Sequence, residues 1–223
     1  MRCYHLIDDG DRVLIALSGG KDSLCLTEFL TRRLRIRMPR FEVEAIHVRM
    51  NNIDYENDTH WIEQFCNKQD VKLHIIDAGF KSDGQKRRTP CFLCSWTRRK
   101  HIFNFAQKNG FRKIALGHHN DDLMHTLLMN EMFAGQFATM PVKLRFRKMP
   151  LTLIRPLCLV SERIIRDYAE KAGYRKQLKQ CPYEHESKRS KVRLIFEAME
   201  RENPEIRFSL WHALERDGKL IEG

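Results

Sequence analysis

The segment "SGGKDS", residues 18–23, combines residue types that bind phosphate. Its two glycines permit a tight turn and let backbone N–H groups approach an anion. The lysine neutralises phosphate charge, the two serines donate hydroxyl hydrogen bonds, and the aspartate can hold a Mg²⁺ ion that bridges phosphates. The predicted nucleotide-binding loop therefore consists of Ser18, Gly19, Gly20, Lys21, Asp22 and Ser23.

A second polar segment, "LGHHNDDL", follows another apolar run. Gly117 and His118 come at the end of a predicted fourth strand, and Asp121 and Asp122 come on the first turn of the next helix. Gly117, His118 and Asp121 are expected to face the same crevice as the loop and to help bind the nucleotide. Either aspartate can share a metal ion with Asp22 or orient a substrate. The alternative is that both only cap the helix and complement its dipole.

The segment "TPCFLCSWTRRK" places Cys91 and Cys94 three residues apart at a predicted helix start. Both sulfurs can reach one ion or cluster there, and the helix dipole favours the thiolate form. The sequence has no second Cys-x-x-Cys pair, which argues against a zinc site of four cysteines.

Besides Cys3, four other cysteines differ in their surroundings. Cys25, Cys66 and Cys158 lie in apolar patterns and are predicted to be small buried side chains. Cys181 opens "CPYEHESKRSKVR", where polar and basic neighbours make a packing role unfavourable. Cys181 is therefore the candidate partner of the Cys-x-x-Cys pair.

The elements that must position these residues alternate between apolar, β-branched runs and amphipathic stretches, as in "RVLIAL" followed by "SLCLTEFLTRRLRIR". This rhythm predicts an α/β fold with a doubly wound, mostly parallel sheet, whose ligands bind at the carboxyl ends of the strands. The fourth strand is expected beside the first. We expect one domain over residues 1–223, in which residues 176–223 form a helical extension with two helices divided near Pro204.

The chain has 40 Lys and Arg against 29 Asp and Glu, a net charge of +11. The basic residues recur in patches, which suits a long phosphate backbone and predicts an RNA partner, whereas solvated helix faces are the alternative for any single patch. No apolar run approaches the length of a membrane span, and the N-terminus has no signal-peptide stretch, so we expect a cytoplasmic protein that does not bind a membrane. The patches are residues 32–40, 86–88, 98–100, 143–148 and 188–193.

The loop fits neither a Walker sequence nor the dinucleotide fingerprint, because its glycines are adjacent. It resembles the SGGxDS loop of the PP-loop family. The segments "CFLCSWTRRK", "LGHHNDDLMHTLLMNEMFAGQFATMPVKL" and "LIRPL" are similar, in the same order, to those of the tRNA 2-thiocytidine synthetase (TtcA) family. After Cys181 the chain differs from that family's commoner second cysteine and Gly-containing stretch, which places the identity of the modified base in question.

This resemblance implies an enzyme that splits ATP between its α- and β-phosphates and adenylates the C2 oxygen of an anticodon-loop cytidine of tRNA. Sulfur then replaces that oxygen, and AMP leaves. The resemblance also implies a [4Fe-4S] cluster held by Cys91, Cys94 and Cys181, a sulfur donor such as a cysteine desulfurase or sulfide, and a homodimer. Its catalytic residues would be Lys21, Asp22, Asp122, Cys91 and Cys94.

Three alternatives remain on the sequence alone. A PP-loop ligase using ammonia would leave the three cysteines without a role, and a desulfidase would use the cluster to remove sulfur from a base. A non-catalytic, nucleotide-sensing RNA-binding module would keep the basic patches without needing Lys21 or Asp22. Phe92 and Trp96, beside the thiols, can stack an unpaired base or pack in the core.

Overall fold

A computed structural model describes residues 3–51, 59–80, 89–175 and 188–222. Its strands are β1 Asp11–Ala16, β2 Phe41–Met50, β3 Lys72–Ala78, β4 Lys113–Ala115, β5 Lys143–Arg145, β6 Thr152–Ile154 and β7 Ile221–Glu222. Its helices are α1 Lys21–Leu34, α2 Thr59–Lys68, α3 Pro90–Lys108, α4 Asn120–Ala134, α5 Glu162–Lys171, α6 Lys188–Glu202 and α7 Ile206–Arg216. Among these helices, none is long and apolar enough to span a bilayer.

The seven strands form one sheet in the order β3-β2-β1-β4-β6-β5-β7. The strands from β3 to β6 in this order are parallel, and β4 lies directly beside β1 with Val13 opposite Lys113. The predicted doubly wound sheet and the predicted neighbourhood of the first and fourth strands are both confirmed. As a result, the segments that follow β1 and β4 meet at one edge of the sheet.

Two short strands were not predicted. β5 pairs antiparallel with β6, and β7 extends that edge beside β5. β5 lies within the basic segment 143–148, and β7 contains two residues, so neither follows from an apolar run of the kind that predicted β4 and β6.

Alternate residues of the central strands pack on opposite faces of the sheet. Val13 and Ile15 belong to the large apolar cluster shared with α1, α2, α4, α5, α6 and α7, whereas Leu14 packs with Ala106 of α3 on the other face. All four of these side chains are fully buried. This alternation follows from the two-residue period of a strand, and it leaves α3 alone among the helices on its face within the described chain.

The tail forms two helices, as predicted, and Pro204 lies between them. α6 packs against α4, where the ring of Phe196 meets the edge of His125 with centroids 5.7 Å apart. The tail therefore covers the helix that begins with the LGHHNDDL segment.

Candidate nucleotide-binding site

The glycine-rich loop joins the end of β1 to the start of α1. Leu17 N–H donates to Ile46 O at 2.9 Å, which holds the entry to the loop against β2. Gly19 has φ +84°, a left-handed conformation that a residue with a side chain adopts only under strain. Gly20 has extended backbone and is the N-cap of α1. The loop and the N-terminus of α1 thus form an anion-binding turn at the carboxyl edge of the sheet.

The two loop serines hydrogen-bond each other. Their hydroxyl oxygens are 3.1 Å apart, and Ser23 Oγ accepts from Ser18 N–H at 3.2 Å and donates to Gly20 O at 2.9 Å. Gly20 N–H donates in turn to Ser18 Oγ at 3.3 Å. The serines therefore hold the shape of the loop in this structure, in addition to any contact with phosphate.

Lys21 contacts two carboxylates. Its Nζ lies 2.9 Å from Asp22 Oδ1 and 3.1 Å from Glu162 Oε1 of α5. Burial opposes protonation, but hydrogen bonds and charge from Asp22 and then Glu162 raise the pKa of Lys21 above its ordinary value. Lys21 is therefore a firmly protonated cation. Glu162 was not singled out by sequence, where "SER" resembles an ordinary helix start.

Asp22 has one oxygen that is satisfied and one that is not. Oδ2 accepts from Lys21 Nζ at 3.2 Å, whereas Oδ1 is out of line for a hydrogen bond, is buried, and accepts none from the described residues. A buried carboxylate oxygen that accepts no hydrogen bond has the chemistry of a cation ligand, and here Oδ1 faces the Lys21 ammonium group at 2.9 Å; magnesium binding by Asp22 stays a prediction. No group of three His, Cys, Asp or Glu residues in the described ranges has metal-binding geometry.

The LGHHNDDL segment lies directly against the loop. A Cβ built on Gly117 would lie 3.1 Å from the Asp22 carbonyl carbon and from Ser23 N, which is closer than a normal side-chain contact. His119 Nε2 lies 3.8 Å from Asp22 Oδ1 and 3.5 Å from Asp122 Oδ2. The two polar segments recognised in the sequence therefore meet in space, as expected from adjacent parallel strands.

Asp121 and Asp122 have partners within the protein. Asp122 Oδ2 accepts from His119 N–H at 3.1 Å, which is the helix-capping alternative, and its Oδ1 lies 3.0 Å from Arg189 Nη2. Asp121 Oδ2 accepts from Glu162 N–H at 2.6 Å. Burial opposes ionisation of Asp121, but this backbone donor and Arg207 lower its pKa below the ordinary value. Both aspartates brace the N-terminus of α4, and their role toward a metal or substrate stays a prediction.

His118 and Arg155 form a second polar pair at this edge. Arg155, which follows β6, is 5 % exposed and donates from Nε to His118 Nδ1 at 3.3 Å and from Nη1 to Pro141 O. Burial, followed by the Arg155 charge, lowers the pKa of His118 to about 4, while burial lowers the pKa of Arg155 to about 10. His118 is consequently neutral at physiological pH, with Nδ1 as an acceptor.

The Cys-x-x-Cys pair lies on the first turn of α3. Thr89 is the N-cap and accepts from Phe92 N–H through its side chain, Pro90 follows it, and Cys91 is exposed while Cys94 is half-buried. Cys94 packs against an apolar cluster formed at the carboxyl ends of β2 and β3 by Val48, Met50 and Ala78. Both thiols therefore lie at the same edge of the sheet as the glycine-rich loop. Cys181 and the basic residues 86–88 lie outside the described residues.

The remaining predictions concern the burial of cysteine and aromatic side chains, and some of them are confirmed while others are wrong. Cys25, Cys66 and Cys158 are buried, as expected. The core-packing alternative for Phe92 and Trp96 is wrong, because each is 49 % exposed on α3. Lys100 Nζ lies 5.2 Å from the centre of the Trp96 ring, so a basic and an aromatic side chain are adjacent beside the thiols.

A parallel sheet with a glycine-rich, lysine- and aspartate-bearing turn after β1 defines a nucleotide-binding protein of the PP-loop class. The PP-loop domain family matches residues 2–196. The tRNA-cytidine(32) 2-sulfurtransferase of Bdellovibrio bacteriovorus (strain ATCC 15356 / DSM 50701 / NCIMB 9529 / HD100) is 35% identical over 213 residues, which are 93% of this chain and 81% of that protein. The protein of the same name from Legionella pneumophila (strain Paris) is 34% identical over 95% of this chain and 76% of its own length. This chain belongs to the PP-loop family and, within it, to the tRNA-cytidine(32) 2-sulfurtransferase family.

A solved structure supports the fold assignment. The U34-tRNA thiolase NcsA from Methanococcus maripaludis, determined with its [4Fe-4S] cluster, superposes with a TM-score of 0.78 over 95% of this chain and 72% of that one. The sequence identity is 23%, so the likeness concerns the fold.

Proposed function

We propose that this protein is an ATP-dependent tRNA sulfurtransferase that replaces the C2 oxygen of an anticodon-loop cytidine with sulfur. The observation that carries the proposal is that the LGHHNDDL segment contacts the loop at residues 18–23, while Cys94 packs at the carboxyl ends of β2 and β3, which belong to the same edge of the sheet. The names of the family relatives supply the substrate. A nucleotide turn and a thiol pair at one edge suit activation followed by sulfur transfer.

The C2 oxygen of cytidine is a poor leaving group, so it must first be activated. The C2 oxygen of cytidine attacks the α-phosphorus of ATP, the α–β bond breaks, and pyrophosphate leaves. A sulfur nucleophile then adds to C2, and the C–O bond breaks as AMP departs with the former oxygen. Lys21 and the N–H groups of the loop stabilise the negative charge that develops on the pyrophosphate. Asp22, through its unsatisfied Oδ1, would hold Mg²⁺ against the phosphates, with Asp122 nearby to orient the substrate.

Cys91 and Cys94 are proposed as ligands of the [4Fe-4S] cluster, together with Cys181. Two thiols one turn apart at the positive end of a helix suit a shared cluster, and the exposure of Cys91 leaves that sulfur accessible. When bound through three cysteines, the cluster would supply an iron with an open position for the incoming sulfide. Arg189, at the start of α6 and eight positions after Cys181 in sequence, contacts Asp122 at the N-terminus of α4.

The proposed partners follow from charge and exposed apolar surface. Arg98, Arg99 and Lys100, with exposed Phe92 and Trp96, would grip the phosphates and stack an unpaired base of tRNA. Leu194 of α6 and Phe208 of α7, which are 65 % and 67 % exposed, suit a homodimer contact. We further propose a single domain with the tail as its extension, a cytoplasmic location, and a cysteine desulfurase or sulfide as sulfur donor.

The decisive experiment is mass spectrometry of tRNA nucleosides from cells with and without this gene, complemented by wild type or by Lys21→Ala. We expect 2-thiocytidine to vanish without the gene, return with wild type, and fall to a small residual level with Lys21→Ala. Equal 2-thiocytidine in all four cultures would refute the proposed reaction. Accumulation of the thiolated base on deletion would instead identify a desulfidase.

A further inference from the structure

We propose that Glu162 is a positioning residue that aims the ammonium group of Lys21 at the phosphates of ATP. The inference rests on the proposed role of Lys21 in ATP binding. Glu162 lies on α5, far from the loop in sequence, and its Oε1 is 3.1 Å from Lys21 Nζ.

The geometry of an ammonium group explains what two carboxylates do. Lysine has three N–H donors, and rotation about its side-chain bonds otherwise scatters them. Asp22 engages one donor at 3.2 Å, and Glu162 lies within reach of a second. Asp22 Oδ1 also lies 2.9 Å from Lys21 Nζ but accepts no hydrogen bond, so a third donor remains that could bind a phosphate held in the loop.

Glu162 is itself held in place by backbone interactions. Ser161 is the N-cap of α5 and accepts from Ile164 N–H at 3.4 Å, and Glu162 is the first residue of the helix. Its N–H donates to Asp121 Oδ2 at 2.6 Å. Burial opposes ionisation of its side chain, but Lys21 lowers the pKa of Glu162 below its ordinary value. A charged carboxylate on an anchored backbone can orient its partner rather than follow it.

The anchor extends to the tail. Arg207 of α7 donates from Nη2 to Asp121 Oδ1 at 2.9 Å and to Glu200 Oε1 at 2.7 Å. Contacts therefore run without a gap from α7 through Asp121 of α4 and Glu162 of α5 to Lys21 of α1. The helices that follow Cys181 thus help to position the cation of the nucleotide loop.

Loss of this orientation should affect turnover more than affinity. Without Glu162 the ammonium group keeps its charge and remains near the loop, while one negative charge facing the triphosphate disappears. The lost negative charge favours ATP binding and the lost orientation of the ammonium group disfavours it, so the two effects on ground-state binding oppose each other. In the transition state, negative charge builds on the departing pyrophosphate. A donor fixed in position stabilises that charge, whereas a loosely held donor does not.

The test is a double-mutant cycle of Glu162→Ala and Lys21→Ala, with ATP affinity measured by calorimetry and AMP formation measured with tRNA present. Glu170→Ala, an exposed glutamate on the same helix, is the matched control. We expect Glu162→Ala to lower kcat by about 10- to 100-fold and to change the Kd of ATP by less than about threefold. In the Lys21→Ala background it should lower kcat by no more than about twofold.

Two results would overturn the inference: Glu162→Ala indistinguishable from Glu170→Ala, or losses of Glu162→Ala and Lys21→Ala that multiply. If Glu162→Ala lowers the melting temperature, Glu162→Gln replaces it in the cycle, because glutamine keeps the size of the side chain but not its charge. A wild-type protein that neither binds ATP nor forms AMP would refute the proposed function itself, which is a different outcome from an active enzyme indifferent to Glu162.

Discussion

Gly117 packs against the backbone of Asp22, so closely that a methyl group on its Cα would lie 3.1 Å from the Asp22 carbonyl carbon. This contact joins the segment after β4 to the first turn of α1. The absence of a side chain at residue 117 therefore allows the LGHHNDDL segment to lie this close to the nucleotide loop.

Gly117→Ala should destabilise the protein, because backbone atoms must shift to admit the new methyl group. We expect a loss of about 1 to 2 kcal/mol, or roughly 2 to 8 °C in melting temperature, measured by thermal unfolding. Gly20→Ala is the control: its Cβ would meet Ser18 Oγ at 3.5 Å, an ordinary contact, and its φ of −74° suits alanine. Equal melting temperatures for the two variants would show that the close approach of Gly117 is not structurally important.

The proposed cluster ligands can be tested without turnover. After anaerobic purification, we expect wild-type protein to be brown and to contain iron and acid-labile sulfide. The triple variant Cys91, Cys94 and Cys181→Ser should be colourless. Cys3→Ser, which removes an exposed thiol elsewhere, should keep the colour. If the triple variant contains as much iron and sulfide as wild type, these three cysteines are not the cluster ligands.

His118 should make stability depend on pH. Its pKa of about 4 lies below the ordinary 6.5, so between these values the unfolded chain binds more protons and stability falls as pH falls. Arg155, Arg189 and His119 disfavour its protonation, and Asp122 favours it. Urea unfolding at pH 7.5 and pH 5 should show a smaller loss for His118→Gln, which keeps an acceptor for Arg155 but does not titrate. An identical loss in both proteins would contradict this assignment.

Arg207→Met should loosen the N-terminus of α4. The guanidinium group bonds Asn120 Oδ1 at 2.6 Å as well as Asp121 and Glu200, and its loss leaves partly buried acceptors without a donor. We expect about 1 to 3 kcal/mol lower unfolding free energy and faster amide hydrogen exchange in the first turn of α4. Arg216→Met, which removes an exposed pair with Asp217, should change neither. Unchanged exchange in Arg207→Met would exclude the tail as a support of this site.

Much of the fold follows from local patterns. The predicted order of strands and helices and the division of the tail near Pro204 are confirmed, because hydrophobic period and helix breakers can be read in short windows. The neighbourhood of the first and fourth strands is also confirmed, and it was expected from the usual strand order of a doubly wound sheet. β5 was missed because it lies in a basic segment without an apolar run, and β7 because it has only two residues. Phe92 and Trp96 were expected in the core as one alternative, but residue type alone does not determine which face of a helix is covered.

The sequence by itself determined the chemistry available here: a glycine-rich turn with Lys21 and Asp22, a thiol pair on one helical turn, and a basic surface. These are properties of neighbouring residues, since backbone freedom, helical spacing and charge act over a few positions. Only the tertiary structure decided which side chains from other helices contact or support Lys21. Glu162, Asp121 and Arg207 come from three different helices, and their contacts exist because the chain folds those helix ends against one edge of the sheet, a relationship no local pattern records.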